Sequence, residues 1–259
     1  MRLLKNRKLN HLMRQLPEGV AVSSAWLSSQ GISRQLVQKY VGSGWLNKLS
    51  RGCYVLPGSP VTWEGVLLGL TRLGNIQIHI GGLSALSRSG DVHYLELGGE
   101  SKIEVWSHKR VPGWVAEVQL QPSLRFHYGK LFRDLSGDAG LTTLKTKVRD
   151  WELQISTPER AMLELLSGLG NSVADFKYAS EMVEGMTLVR PSLVQQLLEG
   201  CRSVRVKRQF LFLVTYHQLR WLKKLDMEKI DTGKGKRQIV IGGRFDKQFQ
   251  ITVPESFVV

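Results

Sequence analysis

Asp91, Glu100 and Lys102 stand at a D…ExK spacing, two carboxylates and a lysine of the kind that hold a divalent cation and support an attacking water in metal-dependent nucleases. Glu100, however, falls in the Gly-rich turn Gly98-Gly99-Glu100-Ser101, and so short a pattern recurs by chance. The catalytic reading is therefore a rival rather than the lead. A second segment, Gly233-Lys234-Gly235-Lys236-Arg237, has the look of a phosphate cradle, but it lacks the Walker spacing and the trailing hydroxyl residue, which argues against nucleotide hydrolysis. No Ser/His/Asp or Cys/His arrangement stands out. Cys53 and Cys201 lie far apart without zinc or redox spacing and are expected as reduced thiols. His79, on an alternating stretch, is expected as a packed strand residue. Neither enzymatic activity, nor a metal, nor a cofactor is expected.

Chemistry of recognition is better represented. Arg34, Gln35, Gln38 and Lys39 recur on one face of an expected helix running from the cap Ser33 to about Ser43, while Leu36, Val37, Tyr40 and Val41 form the opposite, inward stripe. Arg pairs bidentately with guanine and Gln with adenine, so this partition suits a helix that reads base edges. Just beyond, Trp45–Leu49 and Cys53–Leu56 alternate at strand period around Ser50-Arg51-Gly52. Lys48 and Arg51 would lie on this hairpin as backbone contacts, and Arg7 on the preceding helix would add another.

The elements that must position these residues are a first helix with apolar positions Leu9, Leu12, Met13 and Leu16, a second over Ser23–Gln30 ended by Gly31, the reading helix, and the hairpin, closed by Pro57-Gly58-Ser59-Pro60. This is a winged helix-turn-helix over residues 1–60. Charge agrees with it. Of the net +14, residues 1–60 hold +8 and residues 201–237 another +8, while residues 61–200 sum to −2. Cations concentrated on a small domain are the footprint of phosphate binding, although a solvated basic face would carry the same charge.

With 259 residues the chain is expected to form two domains, the second spanning 61–259 as a larger mixed α/β body, so that the fold class is α+β. That body reads as strand-rich over 74–155, mainly helical over 156–228, with terminal strands over 238–254. Strands are expected at 76–80, 94–97, 102–106, 117–120, 124–128 and 151–155. Ser156-Thr157-Pro158-Glu159 starts a helix, having a hydroxyl cap, an early proline and an early acid. A long helix is expected over Val206–Leu225, burying Phe210, Leu213, Val214 and Leu222 and turning its cations outward. The longest apolar runs, 65–70 and 210–214, fall far short of the ~20 residues that span a bilayer. Without a secretory signal, the expected location is the cytoplasm.

In the order of these motifs the chain resembles the AbiEi-type antitoxins of bacterial type IV toxin–antitoxin and phage-defence (abortive infection) systems. The resemblance covers nearly the full length. It rests on the winged helix ending near Arg51-Gly52-Cys53-Tyr54, the Ile155-Ser156-Thr157-Pro158-Glu159-Arg160-Ala161 helix start, the Val206-Lys207-Arg208 helix entry, and Gly233–Arg237 followed by Ile251-Thr252-Val253-Pro254. It implies an N-terminal domain that binds inverted repeats in its own promoter and represses the operon, and a C-terminal domain with antitoxin activity. It also implies a nucleotidyltransferase-like toxin as functional partner, opposed without a stable complex in the type IV definition. A dimer or a cooperative assembly on double-stranded DNA is compatible with repeats of this kind. Lys207, Arg208, Lys236 and Arg237 are the residues chosen for the antitoxin surface, because motif and charge coincide there. A ligand-sensing regulator is the second rival reading.

Overall fold

The computed structural model describes residues 2–58, 60–89, 102–133, 139–146 and 150–257, with residues 2–7 and 89 described by backbone alone. The chain opens with helix α1 (Arg2–Gln15), strand β1 (Val22–Ser23), helices α2 (Ser24–Ser29) and α3 (Arg34–Gly42), and the hairpin β2 (Asn47–Ser50) and β3 (Cys53–Val55). Then come α4 (Trp63–Leu68), running into a π-helical turn at Gly69–Leu73, β4 (Ile78–Ile80), α5 (Gly82–Ser89), β5 (Lys102–Ser107), α6 (Trp114–Glu117), β6 (Ser123–Tyr128), β7 (Leu141–Lys145) and β8 (Glu152–Ser156). Four helices follow, α7 (Pro158–Gly168), α8 (Val173–Glu184), α9 (Pro191–Gly200) and α10 (Val204–Tyr216), and the last strands are β9 (Arg244–Asp246) and β10 (Ile251–Val253). This is a mixed α+β chain. The expected strand at 94–97 lies outside the described residues.

By its internal contacts the chain forms two compact units. One gathers Met1–Ile78, Glu100–Tyr128 and Leu144–Leu153; the other gathers His79–Gly99, Gly129–Thr143 and Gln154–Val259. In the first, β1, β3 and β2 form an antiparallel sheet in that order. Local signals set the helices beside it. Ser23 caps α2 by accepting from the Trp26 N–H, and Ser33 caps α3 by accepting from the Leu36 N–H. Both helices end in Schellman closures around a left-handed glycine: Ile32 N–H reaches Leu27 O past Gly31 (φ +73°), and Trp45 N–H reaches Tyr40 O past Gly44 (φ +73°). Leu12 in α1 and Leu16 just past its end are buried, but Met13, expected inside, is 39% exposed. It sits about 100° round the helix from Leu12, beyond the edge of the stripe that Leu12 and Leu16 define.

The next helix crosses the segment before β1 so closely that only glycine fits. A Cβ at Gly65 would stand 2.0 Å from Gly19 O, and one at Gly69 1.9 Å from Ala21 O. Beyond Gly69 the helix widens by one residue per turn, with Gly74 N–H bonding Gly69 O. The first unit also holds β5 and β6, parallel from Lys102↔Ser123 to Ser107↔Tyr128. Residues 117–120, expected as a strand, instead begin at the end of the single turn α6, whose Trp114 and Val115 are buried side by side as a helical turn allows and an alternating strand does not.

In the second unit β4 and β8 pair in parallel at Ile80↔Ile155, and β9 and β10 pair antiparallel. Its core centres on α7 and α10, buried on all sides from Glu159 to Leu166 and from Val206 to Val214. The expected long helix to Leu225 stops at Tyr216. Gln218 takes a left-handed φ of +52°, Leu219 N–H closes on Val214 O, and a 3-10 turn follows at Arg220–Lys224. Leu222 is only half-buried there, whereas Phe210, Leu213 and Val214 are in the core.

Candidate nucleic-acid interface

Helix α3 divides as its sequence divides. Val37 and Tyr40 are buried and Leu36 and Val41 half-buried, while Ser33, Arg34, Gln35, Gln38 and Lys39 are all exposed. No acidic residue occupies its first turn, and Arg34 and Gln35 follow directly on the Ser33 cap, so cation and amide project from the end where the helix dipole is positive and attracts phosphate. The turn before it is held from α1, where Lys8 Nζ donates to Gly31 O at 2.7 Å. Arg7, one residue earlier, has no described side chain.

The hairpin presents Lys48 and Arg51, both exposed, with Gly52 turning the chain at φ +82°. Its tip is anchored from far along the chain. Ser50 Oγ donates to Trp114 O at 3.3 Å, and the Arg51 N–H donates to Glu117 Oε2 at 3.1 Å. Residues separated by 64 and 66 positions thus fix the hairpin's orientation. Trp114 and Glu117 are functional candidates that sequence reading missed. The local sequence offers only Pro112-Gly113 as the start of a turn, and residues 117–120 were expected as a strand. Within the hairpin, Cys53 at the start of β3 is buried, and burial pushes its thiol up to about 12 against backbone hydrogen bonds at Tyr54 and Val22 that act the other way. It is an inert packing residue.

The second basic block behaves differently. Lys207 and Arg208, expected on a surface, are each only 3% exposed. The reason is that α10 is a core helix, so residues on every side of it are covered. Arg208 is held by four backbone carbonyls: Nε donates to Thr232 O at 2.8 Å, Nη2 to Gly233 O at 2.8 Å, and Nη1 to Gly235 O and to Gln250 O. Burial, followed by the nearby Arg237 charge, lowers its pKa from the ordinary arginine value. Arg208 is therefore a clamp on the glycine-rich loop. The loop itself turns cations outward, as Arg202, Arg220, Lys223, Lys224 and Lys229 elsewhere in the block also do: Lys234 and Lys236 are exposed and Arg237 is half-buried, with Lys236 Nζ 5.0 Å from the Phe245 ring centroid.

Ionisable groups also meet in the core of the second unit. Glu164 accepts from His79 Nε2 at 2.8 Å, Ser156 Oγ at 2.8 Å, Arg160 Nε at 2.9 Å and the Gly82 N–H at 3.2 Å. Burial opposes its charge, but His79 and Arg160 outweigh burial and hold the carboxyl below the usual range. Because both carboxylate oxygens are satisfied by groups from four places in the chain, this network fixes β4, α5 and β8 on α7. His79 is a strand residue as expected, but it is paired with a fully buried acid. Glu159 likewise takes both guanidinium arms of Arg190, at 3.0 Å each.

Of the nuclease candidates, Asp91 and Glu100 lie outside the described residues, and Lys102 is exposed at the start of β5. No group of three or more His, Cys, Asp or Glu side chains placed to hold a metal occurs among the described residues, and none of their helices is long and apolar enough to cross a membrane.

Comparison with known proteins turns this geometry into a class. Residues 5–97 match a family model described as the N-terminal domain of transcriptional regulators of the AbiEi antitoxin type, and residues 100–254 match one described as "Transcriptional regulator, AbiEi antitoxin, Type IV TA system". The class is that of a transcriptional regulator with a separate N-terminal module. The chain belongs to the AbiEi antitoxin family of type IV toxin–antitoxin systems. The crystal structure of the RV2827C protein from Mycobacterium tuberculosis is similar in fold, with a TM-score of 0.51 over 96% of this chain and 90% of that one at 16% identity. No curated protein matches the chain.

Proposed function

We propose that this protein is a non-enzymatic autorepressor and antitoxin acting in the cytoplasm. Residues 1–60 form the winged helix-turn-helix that binds inverted repeats in the promoter of its own operon, and residues 61–259 form the antitoxin domain. The observation that carries the reading is the exposed polar face of α3, where Arg34, Gln35, Gln38 and Lys39 project together from a helix whose other face is packed. Those side chains take the base edges of the major groove, while Lys48, Arg51 and Arg7 contact the backbone. Two such heads on one duplex would match the symmetry of an inverted repeat, by a dimer or by cooperative assembly.

The antitoxin surface is reassigned within the second basic block. Lys236 and Arg237, with Lys234, face outward on a loop that Arg208 braces from inside, and Lys207 belongs to the core. The functional partner is a nucleotidyltransferase-like toxin. Two experiments test the reading. A gel shift on the DNA upstream of the protein's own gene, competed with random duplex, should show specific retention, and equal competition by random DNA would defeat the operator assignment. Co-expression with the neighbouring toxin should relieve growth arrest, and the Lys236→Ala/Arg237→Ala variant should lose that relief while keeping its thermal stability.

A further inference from the structure

Arg208 fixes the direction of every peptide group it touches in the 232–237 loop. It takes the carbonyls of Thr232, Gly233 and Gly235, so those oxygens face the buried guanidinium. In a trans peptide the following N–H points the opposite way, and neither the 233–234 nor the 235–236 bond is cis. The N–H groups of Lys234 and Lys236 are thereby aimed away from Arg208, on an exposed stretch, and neither donates to an acceptor among the described residues. The Gly233 N–H, by contrast, is used, donating to Asp231 Oδ1 at 2.8 Å. Left-handed backbone at Gly233 (φ +65°) and Gly235 (φ +78°) permits this arrangement. Gly233 is also pinned from below, since a Cβ there would stand 2.7 Å from Val204 Cγ2 of α10.

Positive charge converges on the same loop. Lys234 and Lys236 are exposed, Arg237 is half-buried, and Arg208 lies beneath them. None of the four pairs with a carboxylate among the described residues. Arg208 is met by neutral carbonyls, Arg237 Nη1 donates to Lys236 O at 3.0 Å, and Lys236 Nζ rests over the Phe245 ring. Burial first, and then the Arg237 charge, lower the Arg208 pKa, so the two guanidiniums stand close enough to repel. The one acid of residues 231–237, Asp231, already accepts from the Gly233 N–H. Four cations and two outward N–H groups set against a single carboxylate leave room for an anion. Successive backbone N–H groups form an anion-binding concavity, and lysines add point charges suited to phosphate.

We propose that the N–H groups of Lys234 and Lys236, with the side chains of Lys234, Lys236 and Arg237, bind a phosphate group, carried by a free nucleotide or by a nucleic-acid strand. This gives a ligand to the loop assigned above as the antitoxin surface, and only its biological role rests on that reading. Binding is separate from hydrolysis, for which the loop lacks the trailing hydroxyl residue of a Walker motif.

The test uses the full chain labelled with nitrogen-15. Pyrophosphate, magnesium-free ATP and a short random-sequence DNA duplex are titrated separately at constant ionic strength. The expected result is a saturable downfield shift of the Lys234 and Lys236 amide signals. Affinity should fall about 10-fold or more in Lys234→Ala/Lys236→Ala, as loss of two charged donors implies. Lys223→Ala/Lys224→Ala removes the same charge from exposed positions outside the loop and should bind as the wild type does. Shifts with pyrophosphate and ATP assign the free nucleotide as the source. Shifts with the duplex alone assign the strand, and Lys234→Ala/Lys236→Ala should then reduce the duplex salt slope by about 2. Absence of a saturable shift with all three probes at millimolar concentration, or equal losses in the two double variants, overturns the site. Relief of growth arrest is scored separately. Relief that needs Lys236 and Arg237 without phosphate binding keeps the antitoxin surface and overturns the ligand. Phosphate binding by a protein that gives no relief keeps the ligand and overturns the antitoxin reading.

Discussion

Arg34, Gln38 and Arg51 are set apart at the level of single residues by what they can touch. The first two are exposed on the polar face of α3, and the third sits at the tip of the hairpin. Arg34→Ala or Gln38→Ala should cost about 1–3 kcal/mol on operator DNA and much less on random duplex, whereas Arg51→Ala should weaken both and reduce the salt slope by about 1. Titrations at several salt concentrations measure both effects, and equal losses on the two DNAs for Arg34 and Gln38 would remove α3 as the reader. Glu159 gives a prediction about pH. Burial opposes its ionisation, but the Arg190 hydrogen bonds outweigh burial and lower its pKa from 4.5 to about 2. A carboxyl depressed in the folded state stabilises the protein fully above 4.5, and that stabilisation fades as pH falls towards 2. Glu159→Gln should therefore flatten the acid side of the stability profile in that window, as measured by denaturant midpoints.

Elements in this chain depend on a few local devices and a few long-range ones. The Ser33 hydroxyl satisfies one of the free N–H groups at the start of α3, so Ser33→Ala should cost about 1 kcal/mol, read from the unfolding midpoint. Gly69 has no such tolerance. With a Cβ 1.9 Å from Ala21 O, Gly69→Ala must push the π-helical turn off the segment leading into β1, and it should lower the melting temperature far more than Gly113→Ala, where a Cβ meets nothing within 4 Å. The hairpin is the element whose position is least its own. Its tip hangs on α6, so Glu117→Ala should reduce operator affinity without changing any group expected to touch DNA.

Over the whole molecule, the two basic blocks do different work. In the first unit the cations of α3 and the hairpin are exposed, and in the second the helix that carries Lys207 and Arg208 is the core. Removing the Arg208 clamp takes its donors from the carbonyls of residues 232, 233 and 235 and leaves that of 250 only the Arg237 N–H. Arg208→Met should therefore lower the melting temperature and loosen the 232–237 loop, seen as faster amide exchange there. Lys236→Ala should leave stability within about 0.5 kcal/mol, as is usual for an exposed side chain.

Much of the head was legible in the sequence. The Ser33 cap and an end near Ser43 bounded α3, and the 3.6-residue period of Val37 and Tyr40 set its buried face, because caps and periodicity act over a few neighbouring residues. The start of α7 was legible for the same reason. The end of α10 was not, because Gln218 takes the left-handed position usually marked by glycine. What tertiary structure alone decided is which groups face water and which distant groups meet. Lys207 and Arg208 look like surface cations until the segments around α10, among them the 232–235 loop on Arg208, close over them. Trp114 and Glu117 reach the hairpin across more than sixty residues of chain. Charge, caps and period are properties of the local chain; burial and convergence belong to the packed molecule, because they depend on which distant segments come to lie against each other.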